Sequence, residues 1–253
     1  MTMFRFCFIT LFFLAGCEST QIVNLNTVKL GTNGPVAINV QSFGGTVTIV
    51  ANPKVIGTTV SATQYEDGLE SVPVAELQMN VSTYFDSGPL GDTVHVIATC
   101  DDNPFKLISA NIVIRSNNIH GVTVATARGD VTANGISGPV NIHTREGDVR
   151  IATPLAMNDS VTIENTHGNI FYRVRGESSG IIDATAVNGE ATLDLRNGNA
   201  VILPGSTGEH LAAKFNDGTN KITMRTVGGN VRLFVIPNPV GSEPFFETDW
   251  ISW

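Results

Sequence analysis

Between Gly121 and Ile151 the chain repeats itself, and that repetition limits the possible fold more than any other feature. Gly121-Val-Thr-Val-Ala-Thr-Ala-Arg-Gly129-Asp-Val-Thr-Ala is followed, after a short link, by Gly138-Pro-Val-Asn-Ile-His-Thr-Arg-Glu-Gly147-Asp-Val-Arg-Ile. Each copy is an alternating strand, a Thr-x-x-Gly-Asp turn and a second alternating strand that opens with Val. Turn glycines recur at Gly129, Gly147, Gly168 and Gly189, in steps of 18, 21 and 21, with later candidates at Gly198, Gly218 and Gly229. A period near twenty belongs to solenoids that lay down one coil per repeat.

The register after each glycine is constant. Val131/Ala133, Val149/Ile151, Ile170/Tyr172, Ala191/Leu193, Ala200/Ile202 and Val231/Leu233 sit two and four places on. Period-two spacing places both members of a pair on one face of a strand. Before the turns, Val122/Val124, Val140/Ile142, Val161/Ile163, Ile182/Ala184 and Leu211/Ala213 face inward, and Thr123, Asn141, Thr162 and Asp183 face outward. A coil of two or three short strands cannot bury its own inward residues, whereas stacked coils form one continuous core. With charged residues at only 15% and 25 glycines, the composition also favours short strands and tight turns over helices. An all-β parallel β-solenoid (β-helix) of roughly 20-residue coils is the expectation; a meander or sandwich is the alternative.

The turns account for their own residues. Gly129 and Gly147 permit positive φ, and an Asp or Asn beside the glycine can bond to nearby backbone. A structural turn ladder is therefore expected along one edge: Gly129 and Asp130, Gly147 and Asp148, Gly168 and Asn169, Gly229 and Asn230. Stacked asparagines can form amide ladders, but Asp130 over Asp148 repels unless a cation bridges them.

The pattern also appears early, at Gly34-Pro-Val-Ala-Ile-Asn-Val through Gly45-Thr-Val-Thr-Ile-Val, and is then interrupted from about Asn52 to Arg115. Within this insertion Thr58 to Thr63 reads as a strand. Leu77 to Tyr84 and Asp92 to Thr99 read as a hairpin with a longish loop between them. Asp101-Asp-Asn-Pro104 reads as a turn.

The two ends of the chain differ from the repeat. Arg5 precedes the short apolar run Phe6 to Phe13, which reads as a secretory signal, and Leu14-Ala15-Gly16-Cys17 resembles a bacterial lipobox. Residues 1–16 are then a lipoprotein signal peptide, Cys17 the lipidation site and 17–27 a tether. Residues 28–236 form the β domain, and 237–253 an aromatic cap or tail. Of the three cysteines, Cys7 is removed and Cys17 acylated, so Cys100 has no partner and no disulfide framework is possible. Both tryptophans, Trp250 and Trp253, lie in the last residues. That segment reads as a cover for the last open coil, with an exposed partner site as the alternative.

Chemistry is less legible. Asp130, Asp148, Asp183 and Asp194, with Arg128 and Arg150, are the residues a polysaccharide lyase or hydrolase on this scaffold would need to gather into one groove. Turn geometry and outward polar positions already explain most of them. His95, His120, His143, His167 and His210 show no paired ligand spacing, so neither metal nor cofactor is expected; calcium between Asp130 and Asp148 is a weaker reading. Arg128-Gly129-Asp130 spells the integrin-recognition tripeptide, but its Gly and Asp belong to the repeat's turn. A net charge of −8 disfavours nucleic acid.

Ala110-Asn-Ile-Val-Ile-Arg leading into Val122 to Val131, then Val140 to Val149, and the weaker copy near Gly34, resemble an adhesin-type bacterial domain of right-handed β-helical fold, related to autotransporter-adhesin heads. The resemblance spans about Val28 to Val235 and departs near Glu190 to Ile202, where Gly189 and Gly198 lie only nine apart. It implies an exported or lipid-anchored surface protein; with the acidic residues explained by turns, the role expected is non-catalytic surface display, adhesion or assembly. The membrane, through the lipid on Cys17, and an envelope protein or surface glycan are then its partners; a passive spacer is a further reading. Glu18 after Cys17 points by resemblance to the outer membrane.

Overall fold

The computed structural model describes residues 22–25, 27–66, 79–88, 91–100 and 108–241. The signal segment, Cys17 and the aromatic residues after Gly241 lie outside them, as do the turn at Asp101 to Pro104 and the side chain of Cys100. Twenty strands and no helix make up the described chain. They are β1 (Ile22–Asn24), β2 (Val28–Leu30), β3 (Val36–Ser42), β4 (Val47–Ala51), β5 (Thr58–Glu66), β6 (Met79–Gly88), β7 (Gly91–Cys100), β8 (Ile108–Ser116), β9 (Ile119–Arg128) and β10 (Val131–Asn134). There follow β11 (Ser137–Glu146), β12 (Val149–Ala152), β13 (Val161–His167), β14 (Ile170–Val174), β15 (Gly180–Ala186), β16 (Ala191–Leu195), β17 (Ala200–Ile202), β18 (His210–Phe215), β19 (Lys221–Thr226) and β20 (Val231–Val235).

These strands form two 10-stranded sheets. Sheet A runs β1-β5-β8-β4-β10-β12-β14-β20-β16, with β2 also on β5, and sheet B runs β17-β18-β15-β19-β13-β11-β9-β3-β7-β6. Read across both sheets, β8/β7, β4/β3, β10/β9, β12/β11, β14/β13, β20/β19 and β16/β15 are seven layers, each giving one strand to each sheet. Neighbouring layers pair in parallel, so the architecture is that of a β-solenoid. In the middle of the stack Val131 pairs with Val149 and Val149 with Ile170, steps of 18 and 21.

The core fills the space between the sheets. Ile38, Val122, Val140, Val161, Ile222 and Ile182 form one inward column from sheet B, and Val47, Val131, Val149, Ile170 and Val231 form another from sheet A; all are buried. Four inward side chains at roughly 1.5–3 kcal/mol each cannot offset about 1–2 kcal/mol per residue for ordering a whole coil. Stacking is thus a condition of folding. Tyr172 is wholly buried in this core, its hydroxyl has no hydrogen-bond partner, and desolvation, reinforced by the negative charge of Asp159, raises its pKa above the ordinary phenol value.

At both ends, spatial order departs from chain order. The insertion does not merely interrupt the repeat: β7 and β8 form a layer outside β3/β4, and the antiparallel β6 and β5 cover that layer. The hairpin strands run farther than the sequence suggests, with Gly88 opposite Gly91, so most of the expected loop is strand. At the other end Gly168 does not precede Gly189 in space. Ile170 pairs with Val231, and Val231 on its far side pairs with Ala191, so β19/β20 enters between β13/β14 and β15/β16. The physical reason is that the intervening residues complete a coil and then return through two antiparallel strands, β17 and β18.

That return changes two sequence readings. Leu211 and Ala213 do face the core, together with Phe215, but from an antiparallel cover strand. Ala200 packs against the edge of the core, but Ile202 does not line it: β17 pairs only with β18, and Val201 and Ile202 remain 57% and 53% exposed. Gly198 and Gly218 likewise stand outside the glycine column that Gly229 joins.

Candidate functional site

Along the edge where sheet B turns into sheet A, the Thr-x-x-Gly-Asp motif acts as one unit. Thr126 and Thr144 are nearly buried, and their hydroxyls donate to the carbonyls of Arg128 and Glu146, bracing the turn. Asn165 and Thr226 occupy the same position in their coils and donate instead to the carbonyls of Gly147 and Gly168. The glycine is required twice over. Gly147 has φ +115°, and a Cβ there would lie 2.4 Å from the Gly129 carbonyl oxygen; Gly129, Gly168 and Gly229 repeat the arrangement against Gly45, Gly147 and Gly168.

The polar residue after each glycine links coil to coil. Asp130 accepts the backbone N–H of Asp148 (2.8 Å), Asp148 that of Asn169 (2.8 Å), Asn169 that of Asn230 (3.0 Å), and Asn230 that of Glu190 (2.8 Å). Asn169 also donates its amide to Asp148 (3.1 Å). At the opposite end Asn111 accepts both the N–H and the hydroxyl of Thr46. Sequence reading missed Asn111, Thr46 and Glu190, because their places in the column depend on the reordered layers. The cation needed between Asp130 and Asp148 is Arg150, whose guanidinium reaches Asp130 at 2.8 Å and Asp148 at 2.6 Å. An internal arginine thus occupies the position considered for calcium. Among the described residues no cluster of three His, Cys, Asp or Glu could hold a metal.

The remaining acidic candidates do not converge. Asp183 lies on the outer face of sheet B and pairs with His210 at 3.1 Å, whereas Asp194 lies on β16 in sheet A and pairs with Arg196 at 2.9 Å. Arg128 is not part of the ladder; its guanidinium sits over the Phe43 ring, 5.4 Å from the centroid. In the Arg128-Gly129-Asp130 tripeptide, the two carboxylate oxygens of Asp130 are committed to Asp148 and Arg150. A groove with paired carboxylates, which glycoside hydrolysis requires, is not formed by these residues.

The open polar surface is the outer face of sheet B. Strand register sets Asn39, Thr123, Asn141, Thr162, Thr223 and Asp183 in one outward row, spaced at about 4.8 Å. Beside it a second row brings His143, Glu164 and Arg225 next to one another. His143 Nδ1 lies 3.1 Å from Glu164 Oε2, and Arg225 is exposed on the other side. With Thr144, Asn165, Thr166 and Val227 these residues line an open cleft of ≈ 520 Å³. Farther along sheet B, with β9 and β3 between it and the cleft, His95 stacks on Tyr84 with ring centroids 4.8 Å apart and pairs with Asp86 at 3.4 Å. The cleft combines a cation, a carboxylate, hydroxyls and an amide, a set that recognises hydroxylated or charged ligands by hydrogen bonding. His143 and Glu164 are one coil step apart and were accessible to repeat alignment; Arg225 was not, because its coil is inserted from later in the chain.

Comparison with known proteins bears on the fold. The chain matches a candidate cell adhesion protein from Clostridium sporogenes at TM-score 0.60 with 10% identity, covering 86% of this chain and 100% of that one. A candidate adhesin from Bacteroides fragilis aligns over 86% of this chain and 98% of that one, at 12% identity and TM-score 0.26. No curated protein matches it in sequence. The family model described as Toastrack DUF4097 matches residues 24–233, which takes in the glycine column and the polar face of sheet B, and the chain belongs to that family.

Proposed function

We propose that the protein is a non-catalytic, lipid-anchored envelope protein that binds an envelope partner or surface glycan through the outer face of sheet B. The observation that carries this reading is the cleft where His143, Glu164 and Arg225 meet beside the Thr/Asn row. Such a face offers many hydrogen-bonding groups over a repeating surface, which suits sugars and polar protein surfaces. Support for an adhesin-like role also comes from the solved structure with the same fold, which is named a candidate cell adhesion protein. Right-handed winding is the sense in which parallel strands of one sheet are joined.

Anchoring rests on Leu14-Ala15-Gly16-Cys17 and the apolar run before it, and outer-membrane placement on Glu18. Among the described residues no helix is long and apolar enough to cross a membrane. The test is binding of the displayed protein to arrays of surface glycans and to immobilised envelope proteins. Arg225→Ala and Thr162→Ala are expected to reduce capture with the melting temperature unchanged. Capture that survives both substitutions removes sheet B as the binding face, and palmitate labelling that persists in Cys17→Ser removes the anchor.

A further inference from the structure

Charge is unevenly spread over the outer face of sheet B. On β18, β15, β19, β13 and β11 every second residue is buried, so the residues between them face out. Those outward positions carry Lys214, Lys221, Arg225 and Arg145 against two acids, Asp183 and Glu164. Glu146, at the end of β11, has the parity of the buried Thr144 and belongs to the turn. The whole chain has 15 Lys and Arg against 23 Asp and Glu, so this half of the face is opposite in sign to the molecule. Both acids are engaged, Asp183 by His210 and Glu164 by His143, each at 3.1 Å. All four cations are exposed, and among the described residues none is in an ion pair. The other half of the face differs. β3, β7 and β6 contain no Lys or Arg, and Arg128, the last residue of β9, is turned to Phe43.

Strand register spaces the cations. Lys214 and Lys221 both pair with Ile181, so they stand two strands apart, at about 10 Å. Lys221 and Arg225 are four residues apart on β19, at roughly 13 Å, with Thr223 outward between them. Arg145 lies on β11, two strands from β19 and two residues past His143, which the register aligns with Glu164 and Arg225. Each step along this track passes an uncharged outward side chain: Ile181, then Thr223, then Thr166 of the cleft.

Cations held near one another without a counter-charge of their own attract an anionic partner. Their separation by hydroxyl and aliphatic groups fits a polymer whose anionic units are separated by neutral ones. Guanidinium takes a carboxylate through two parallel N–H···O bonds, and the Thr hydroxyls both donate to and accept from sugar hydroxyls. Val201 and Ile181, 57% and 42% exposed, flank Lys214 in the register and offer apolar surface to the C–H side of a sugar ring. Single-stranded nucleic acid would instead require aromatic stacking platforms, and no Phe, Tyr or Trp stands at an outward position of these five strands.

We infer that the β18-to-β11 half of sheet B binds an acidic glycan in which carboxylated and neutral sugars alternate, its carboxylates on Lys214, Lys221, Arg225 and Arg145. This rests on the reading of sheet B as the binding face and adds the class of sugar.

The test compares two forms of one polymer on the full chain: hyaluronan, which alternates glucuronate with a neutral amino sugar, and hyaluronan with its carboxylates reduced to alcohols. The expected result is binding of the acidic form, severalfold weaker binding of the reduced form, and loss of the difference as salt is raised from about 0.1 M to about 1 M. Lys214→Gln/Lys221→Gln and Arg145→Gln/Arg225→Gln should each weaken the acidic form severalfold with the melting temperature kept. Lys29→Gln/Lys54→Gln, two exposed cations away from this face, should change nothing. If the arginine variant does not fold, the lysine variant decides. Equal affinity for both forms, both weakened by Thr162→Ala, overturns the acidic ligand and leaves sheet B as the binding face. Absence of binding at low salt, affinity indifferent to both face variants, or poly-glutamate held as tightly as hyaluronan, which would mean a general polyanion surface, also overturns the proposal.

Discussion

The middle of the stack and its two ends solve different problems. In the middle, β9/β10, β11/β12 and β13/β14 follow one another in space as in the chain, and the residue after each turn glycine accepts the N–H of its counterpart in the next layer. At the ends the order is exchanged. The first coil, β3/β4, lies inside the later β7/β8, and the last coil, β19/β20, lies inside the earlier β15/β16. Both outer layers are then covered on sheet B by antiparallel strands, β6 at one end and β18 at the other. A parallel repeat can propagate by copying itself, but it cannot terminate that way, because each new copy exposes a fresh edge. Strands from elsewhere in the chain have to close it.

The largest effect that separates the two regions should come from their glycines. Gly147→Ala places a Cβ at 2.4 Å from the Gly129 carbonyl oxygen at φ +115°. The central coils must separate, and a loss of about 3 kcal/mol or more is expected in urea unfolding. Gly34 stands near the N-terminal end at φ +74° with nothing within 4 Å of a Cβ. Gly34→Ala should therefore lose only about 1 kcal/mol, from backbone strain alone. Equal losses would mean that the central column contributes φ tolerance and no close packing.

A smaller effect is expected from the arginines. In the middle, Arg150 joins two carboxylates, and the Arg150 and Asp148 side chains are only 23% and 22% exposed. Arg150→Met leaves Asp130 and Asp148 one coil apart with no cation between them, and about 2 kcal/mol should be lost, lying between the exposed and buried limits for ion pairs. At the end of sheet A, Arg196 and Asp194 are 64% and 40% exposed, so Arg196→Met should change stability by no more than about 0.5 kcal/mol. A double-mutant cycle of Arg150 with Asp130 checks the first figure. Coupling no larger than that of the Arg196–Asp194 pair would remove Arg150 as the bridge.

The same division governs what could be read from sequence. Period-two alternation and the Thr-x-x-Gly-Asp turns gave the inward columns and the ladder from Asp130 to Asn169 because those features depend on local spacing and on a neighbour one coil away. The contact of Asn169 with Asn230, across 61 residues, was legible only as a shared motif, and the order of the coils was not legible at all. The same applies to Ala200 and Ile202, whose spacing after Gly198 imitates a coil although their strand joins an antiparallel cover. Arg225 entered the sheet B cleft through that reordering, which is why the site was the least predictable part of the molecule.

The smallest effect concerns the N-terminal end and depends on pH. Asp92 stands at the start of β7, in register with Val36, accepting the Ser87 hydroxyl at 2.6 Å across the hairpin and the Asn33 backbone N–H at 3.1 Å. These bonds, the Ser87 hydroxyl first, hold its carboxyl below the ordinary aspartate value. A carboxyl lowered in the folded state contributes stability that is fully present above its unfolded pKa and is lost as pH falls through the lowered folded value. Acidification through that window should open the β6–β7 hairpin and the Asn33 segment while the central β11 keeps its protection. The measurement is amide hydrogen exchange, expressed as protection factors so that the intrinsic pH dependence cancels. Because Asp86 pairs with His95 on the same hairpin, the assignment to Asp92 rests on Asp92→Asn, which should flatten the acid dependence of protection at Asn33. A variant that keeps the wild-type pH profile would remove Asp92 as the source of the effect, and simultaneous opening of β11 would mean that the end and the middle unfold as one unit.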